Sequence, residues 1–266
     1  MKKIGVLGCG RVGLPLAKVL VKKGFDVNGS VRSHEKILKL SNLGINFFKY
    51  NVDQNFKDSH FFKSLDLLII TIPFGRINIK SKSFHSLMSQ LIDIIKKESI
   101  KRIIYLSSIS VYGKKNDLVD EKTQCKPISK SSIKIHSVEQ ILNSGPFITV
   151  NIRLGGLIGK NFHPIDSLSG KTFDKGNQLI NLIHVDDVIS IIMMILNKYP
   201  KENDVFNAVC PYHPSKKDYY TLTAKKLKLA PPKFIDGEKS SKIISSKKLI
   251  KYLGYNFKKI KLLVNN

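Results

Sequence analysis

The chain has 266 residues, 42% of them hydrophobic, and a formal charge of +25. That length and apolar content suffice to bury a full core, as one large domain or one domain carrying a small lobe, and they exclude a disordered tail. The charge invites a nucleic-acid reading, but only five of the 45 basic residues are arginine, at positions 11, 32, 76, 102 and 153. Lysine lacks the planar fork with which arginine reads bases. The lysines are also scattered from Lys2 to Lys261, so the field favours a small anionic ligand over nucleic acid. Cys9, Cys125 and Cys210 are odd in number and lack metal-ligand spacing, which supports neither a disulfide framework nor a metal site and fits a reducing cytoplasm. The apolar run after Met1-Lys2-Lys3 is broken by glycines and Arg11, arguing against a secretion signal. The richest apolar stretch, Val188 to Leu196, is too short to span a bilayer, so no membrane partner is expected.

In chain order, a strand over Lys3–Leu7 runs directly into Gly8-Cys9-Gly10-Arg11-Val12-Gly13 and a helix over Val12–Lys22. This is a dinucleotide-binding fingerprint in its proper context. Gly8 permits the tight turn, Gly10 lets backbone amides reach a pyrophosphate, and Gly13 lets the helix lie close on the strand. All six residues of the turn, Cys9, Arg11 and Val12 included, are therefore cofactor-binding candidates.

Further strands are predicted over Asp26–Val31, Asn46–Tyr50, Leu67–Thr71, Arg102–Leu106 and Ile148–Ile152, with a seventh over Gln178–Ile183. Helices are predicted over His34–Leu43, Ser83–Lys97 and Ser132–Asn143, and another runs from Asp186-Asp187 to about Leu196, with Asp186 suited to capping. Strand–helix alternation of this kind predicts a Rossmann-type, doubly wound α/β fold with a parallel sheet. From Lys201 onward the chain is more polar and punctuated by Pro211, Pro214, Pro231 and Pro232. The expected organisation is an NAD(P)-binding domain over residues 1–200, with 154–175 contributing to the substrate crevice, and a small C-terminal substrate lobe over 201–266.

The second strand ends in Ser30-Val31-Arg32-Ser33, where an NAD binder would place an acid to hold the ribose 2′-hydroxyl. Arg32 instead offers a fork for a 2′-phosphate, with Ser30 and Ser33 as additional donors, so NADP is favoured while NAD stays open. Thr71, Ile72 and Pro73 end the fourth strand, at the carboxyl edge where such sheets bind ligands, and are expected in the cofactor wall.

The fifth strand continues into Ser107-Ser108-Ile109-Ser110-Val111-Tyr112-Gly113. Here the chain resembles the extended short-chain dehydrogenase/reductases, whose fifth strand carries Ser-Ser-x-x-Val-Tyr-Gly. The resemblance continues through Val138–Leu142, Ile152–Gly159, Asn181–Val188 and Lys247–Tyr255, in the right order over nearly the whole chain. Phe206-Asn207-Ala208 and the stretch from His213-Pro214 through Tyr219-Tyr220 to Pro231-Pro232 look like the atypical, YeeZ-like branch of nucleoside-diphosphate-sugar epimerase-like proteins. The resemblance implies NADP or NAD as cofactor, with Ser107 and Leu154 beside it, and a small anionic substrate such as a nucleotide sugar. It makes Ser108 the catalytic hydroxyl that hydrogen-bonds the reacting oxygen.

The family then uses a Tyr-x-x-x-Lys pair on the next helix, and here the chain departs from it. Counting back from Glu139-Gln140-Ile141-Leu142, the Tyr position falls on Ser131 and the Lys position on Ile135. A register shift of one puts Lys134 near the Lys position but supplies no tyrosine, since none occurs between Tyr112 and Tyr199. A placed proton donor is commonly worth about 10²–10⁴ in rate, and serine has no acidity to replace an activated phenol. Lys134, which would reach the cofactor ribose, and His136, which would act as an acid or base because imidazole titrates near neutrality, are the local stand-ins, against readings as a solvated helical lysine and a helix-face histidine. Tyr112, Tyr219 and Tyr220 read as packing residues and His184 as a packing, capping or substrate-side residue, while His163 and His213, each beside a proline, read as solvated lobe residues or as holders of polar substrate groups. Two functions from different classes follow: an NAD(P)-dependent oxidoreductase or epimerase-like enzyme, or an NAD(P)-binding sensor or partner-binding protein that has lost catalysis.

Overall fold

The computed structural model describes residues 2–50, 60–77, 81–114, 117–159, 162–235 and 242–258. Strands β1 (Lys3–Leu7), β2 (Asp26–Val31), β3 (Asn46–Lys49), β4 (Leu67–Ile70) and β5 (Arg102–Ser108) come first, followed by a short β6 (Leu118–Val119). After them come β7 (Ile148–Leu154), β8 (Gly156–Ile158), β9 (Thr172–Phe173), β10 (Leu182–His184), β11 (Asp204–Ala208), β12 (Lys233–Phe234) and β13 (Ile243–Ile244). The helices are α1 (Gly13–Lys22), α2 (His34–Leu40), α3 (Ser81–Lys97), α4 (Lys130–Asn143), α5 (Ile165–Leu168), α6 (Val185–Asn197), α7 (Lys216–Lys226) and α8 (Lys247–Leu253).

Seven strands form one parallel sheet in the order β11-β7-β5-β4-β1-β2-β3. The register runs Val6 opposite Gly29 and Ile69 opposite Val6, with β1 between β2 and β4. The chain therefore winds outward to β3, returns past β1 to β4, and winds out the other way, creating a switch point at the carboxyl end of β1. The central strands β4 and β5 are buried along nearly their whole length, as expected of parallel strands covered on both faces. Leu87, Met88, Leu91 and Ile95 of α3 recur at helical spacing and join Val138 and Leu142 of α4 in the core with Ile70 and Ile103. This is the Rossmann-type fold the alternation predicts.

Two compact units divide the chain. The first holds Met1–Ser107, Ser129–Ile152 and Tyr199–Val205; the second holds Ser108–Ile128, Arg153–Lys198 and Phe206–Asn266. The composition shift at Lys201 does not coincide with this division, because the second unit also draws on segments from the middle of the chain.

Several elements differ from their predicted form. The seventh sheet strand is Asp204–Ala208, not Gln178–Ile183: in the latter region Leu182–His184 pairs with β8 in a separate two-stranded sheet, and Leu179 makes an isolated antiparallel bridge to Ser215. Phe206 and Ala208 are fully buried, but the polar run around them hides the strand. Helix α4 starts two residues earlier than Ser132, because Ser129 and Ser132 form a reciprocal capping box. The predicted helix over His34–Leu43 ends at Leu40 and tightens into a 3-10 turn closed by Gly44. Asp186 is not the cap of α6; His184 Nδ1 accepts from Asp186 N at 3.2 Å, while Asp187 is buried and accepts from the Tyr255 hydroxyl at 2.6 Å.

Phe206 stacks on Tyr252 with centroids 5.2 Å apart. Phe206→Ala should cost about 3–5 kcal/mol in denaturant unfolding; a surface-like loss below about 0.5 kcal/mol would contradict the strand assignment.

Candidate functional site

The glycine turn is held from both sides. Gly8 has φ +110°, a conformation that costs glycine little; its amide donates to Ser30 Oγ on β2 at 2.8 Å, and its carbonyl accepts from the Thr71 hydroxyl at the end of β4. A Cβ on Gly13 would lie 2.1 Å from the Gly8 carbonyl oxygen, so α1 can start this close only with glycine there. A Cβ on Gly10 would meet no atom within 4 Å. The space beside Gly10 is thus open where the space beside Gly13 is closed.

The start of α1 suits an anion. Its N-cap, Val12, makes no side-chain cap, and its first turn contains no acid. The amides of Val12 and Gly13 have no intrahelical acceptor, and the helix dipole places partial positive charge on this turn. Arg11 is exposed beside them. Cys9 plays a different part: its amide donates to the Ser30 carbonyl at 2.7 Å, and its buried side chain lies against Gly29. Burial pushes its thiol up to about 12, so Cys9 packs the turn onto β2.

At the end of β2, Arg32 is exposed and Ser33 caps α2, its oxygen accepting from Lys36 N at 3.4 Å. Ser30 is 3% exposed and turned toward Gly8, so it is not the outward donor expected from its position. Lys36 escaped the sequence reading; its amide donates to Ser33 Oγ, and its charge pulls against the burial that raises the Cys9 thiol. Only the one-turn step from cap to Lys36 could have signalled it. Ile72 is buried and Pro73 exposed, with Pro73 opening a 3-10 turn over Phe74–Arg76.

Helix α4 packs on that turn. A Cβ on Gly75 would lie 2.2 Å from Ser131 Oγ and 2.9 Å from Ile135 Cδ1, so Ser131 and Ile135 face Gly75. Lys134 donates to the Ile77 carbonyl at 2.8 Å and lies 5.6 Å from the Phe84 ring centroid. On the neighbouring face, His136 Nδ1 is 3.4 Å from Glu139 Oε2, and Glu139 Oε1 accepts from Ser107 Oγ at 2.5 Å. Sequence reading used Glu139 only as a landmark, because a carboxylate at a helix position carries no sign of burial until the helix is docked.

The second unit begins at Ser108, whose oxygen accepts from Ser110 N at 3.2 Å and caps the 3-10 turn Ile109–Tyr112. Leu154, half-buried, ends β7. Tyr112 is fully buried; it donates to Asn207 Oδ1 at 2.8 Å and accepts from Arg153 at 2.9 Å. Its pKa is raised by burial, against the opposing pull of Arg153, in keeping with a packing role. His163 is not solvated: Nδ1 accepts from Ile165 N at 3.1 Å, which leaves Nε2 to donate to Tyr219 Oη at 2.9 Å. Burial lowers its pKa below 6.5. His213 Nδ1 lies 3.3 Å from the Ile180 carbonyl, and Tyr219 and Tyr220 pack edge to face at 5.2 Å.

A doubly wound parallel sheet with an open, uncapped glycine turn at its switch point defines a dinucleotide-binding protein of the Rossmann class. The chain belongs to the NAD(P)H-binding family, which matches residues 8–196. It is 31% identical over 264 residues to protein YeeZ of Escherichia coli strain K12, covering 97% of this chain and 96% of that one. Among solved structures it is similar to the enzyme WbmH of Bordetella bronchiseptica in complex with NAD+, at TM-score 0.83 and 17% identity over 99% and 96% of the two chains. It is also similar to UDP-glucuronic acid 4-epimerase of Bacillus cereus in complex with UDP-glucuronic acid and NAD, at TM-score 0.77 and 20% identity over 96% and 93%. Among the described residues, no helix is long and apolar enough to cross a membrane.

The two glycines make opposite predictions. Gly10→Ala should leave unfolding stability within about 0.5 kcal/mol yet weaken NAD(P) binding about tenfold or more in titration calorimetry. Gly13→Ala should itself destabilise by about 1–3 kcal/mol. Because His163 binds its proton less well folded than unfolded, its contribution is complete above about pH 6.5 and is lost as pH falls below that. Wild-type protein should therefore lose more stability than His163→Gln between about pH 8 and about pH 5 in thermal melts.

Proposed function

We propose that the chain is an NAD(P)-dependent oxidoreductase or epimerase-like enzyme that prefers NADP and acts on a small anionic substrate such as a nucleotide sugar. The observation that carries the reading is the uncapped start of α1 beside the open face of Gly10. Gly8, Gly10, Arg11, Val12 and Gly13 would hold the cofactor's pyrophosphate, with Thr71, Ile72, Pro73, Ser107 and Leu154 along its length. When bound, the cofactor supplies a nicotinamide able to take or give a hydride. Arg32 and Ser33, with Lys36 near them, would hold a 2′-phosphate by charge-assisted hydrogen bonds. Ser108 would hydrogen-bond the substrate oxygen and keep its own proton, and His136 would take or return the substrate's proton in place of the family's tyrosine. The bound nucleotide sugar of the Bacillus cereus epimerase and the surplus of lysine support an anionic substrate. The cysteines among the described residues are free thiols, in keeping with a cytoplasmic setting.

A second reading, a cofactor-binding sensor or partner-binding protein without turnover, is favoured by the packing of Ser131 and Ile135 on Gly75, which puts no titratable group at the family's dyad positions. Incubation with NAD(P) and UDP-glucuronic acid or UDP-glucose, followed by cofactor absorbance and sugar chromatography, separates the two. Turnover that falls about a hundredfold in Ser108→Ala supports the enzyme; tight cofactor binding with no reaction on any sugar nucleotide supports the sensor. Arg32→Ala should weaken NADP about ten- to a hundredfold and NAD far less. Equal losses would remove the case for NADP.

A further inference from the structure

Helix α4 carries a buried carboxylate, Glu139. Glu139 has 3% of its side chain exposed and His136 has 23%, so the imidazole is reachable from solvent and its carboxylate partner is not. A carboxylate accepts hydrogen bonds and does not donate them; the 3.4 Å contact to Oε2 therefore places the imidazole proton on Nδ1. That leaves Nε2 with its lone pair, the form in which a neutral imidazole takes a proton. The other carboxylate oxygen accepts from Ser107 Oγ at 2.5 Å, one residue before Ser108 in the chain. Burying a carboxylate is costly unless its oxygens are bonded, and both oxygens here are engaged by hydroxyl and imidazole.

We propose that Glu139 is a positioning residue: its buried carboxylate holds His136 as the Nδ1–H tautomer, with Nε2 presented as the base, while anchoring Ser107 at the end of β5. The assignment rests on the enzymatic reading for what His136 then does, but not for the orientation itself. Glu139 acts through His136 and touches neither substrate nor cofactor.

The decisive measurement is the tautomer of His136 in the full-length protein, read from long-range proton–nitrogen NMR of histidine-labelled samples with the ring neutral, and assigned by the signal lost in His136→Gln. Wild type should show mainly Nδ1–H. Glu139→Leu, which fills the volume but removes the acceptor, should shift the ring to mainly Nε2–H, while Ser107→Ala, which cuts only the link to β5, should keep Nδ1–H. A wild-type ring protonated on Nε2 overturns the proposal, and does so even if Glu139→Leu fails to fold. The proposal also falls if Glu139→Leu leaves the tautomer unchanged, or if Ser107→Ala shifts it equally, since Glu139 would then be only a staple between α4 and β5. With UDP-glucuronic acid turnover in hand, Glu139→Leu should lower kcat about a hundredfold, well beyond the loss in Ser107→Ala, which cuts the same link to β5 but keeps the His136 tautomer. If no turnover exists in wild type, the enzymatic reading fails while the tautomer still decides the role of Glu139.

Discussion

The turn at Gly8 depends on two hydrogen bonds that reach it from strands on either side of β1. Ser30 on β2 accepts its amide and Thr71 after β4 donates to its carbonyl, so the turn is tied to both neighbours of the central strand at the point where the winding reverses. Backbone groups at a sheet edge would otherwise need water or ligand as partners. With Gly8 satisfied internally, the amides at the start of α1 are the ones left for an anion, and α1 can approach because Gly13 has no Cβ. Position and polarity of the cofactor site thus follow from one pinned peptide.

Electrostatics act on two scales. The net charge of +25 gives a long-range field that salt screens beyond about 8–10 Å; it attracts anions without choosing among them. Selection requires short-range geometry, and there the uncapped α1 turn and the Arg32-Ser33 pair differ from the many solvated lysines. In the second unit, by contrast, the buried Arg153 is spent on Tyr112. Its planar cation lies 4.8 Å from that ring's centroid, so one of only five arginines in the chain serves a buried polar network.

Much of the first unit was legible in sequence because parallel strands buried on both faces must be apolar throughout, and because the turn between them demands glycine at fixed spacing. Leu67–Ile70 and Gly8–Gly13 were readable for these reasons. Asp204–Ala208 was not, since Asp204 and Asn207 break the apolar run and the partners of Asn207 lie far along the chain: its amide donates to Glu121 and its side chain to the Ser245 carbonyl. His163 was misread as solvated for the same cause. A histidine beside proline carries no local mark of burial, and its partner Tyr219 is 56 residues away. Ser30 shows the reverse case: a strand-end serine expected as an outward donor, whose buried hydroxyl oxygen instead accepts from the Gly8 amide.

Helix α4 shows how a site can change without a change of fold. Successive helix residues are turned by about 100°, so Ile135 and His136 look in different directions from adjacent positions. Ser131 and Ile135, four apart and on one face, close against Gly75; a tyrosine at 131 would have to displace that turn, which glycine at 75 allows to sit in contact with a small serine. His136 and Glu139, three apart on the next face, address the end of β5 through Ser107. Ser131 and Ile135 therefore serve the contact with the 3-10 turn, and His136 and Glu139 lie one face away from them.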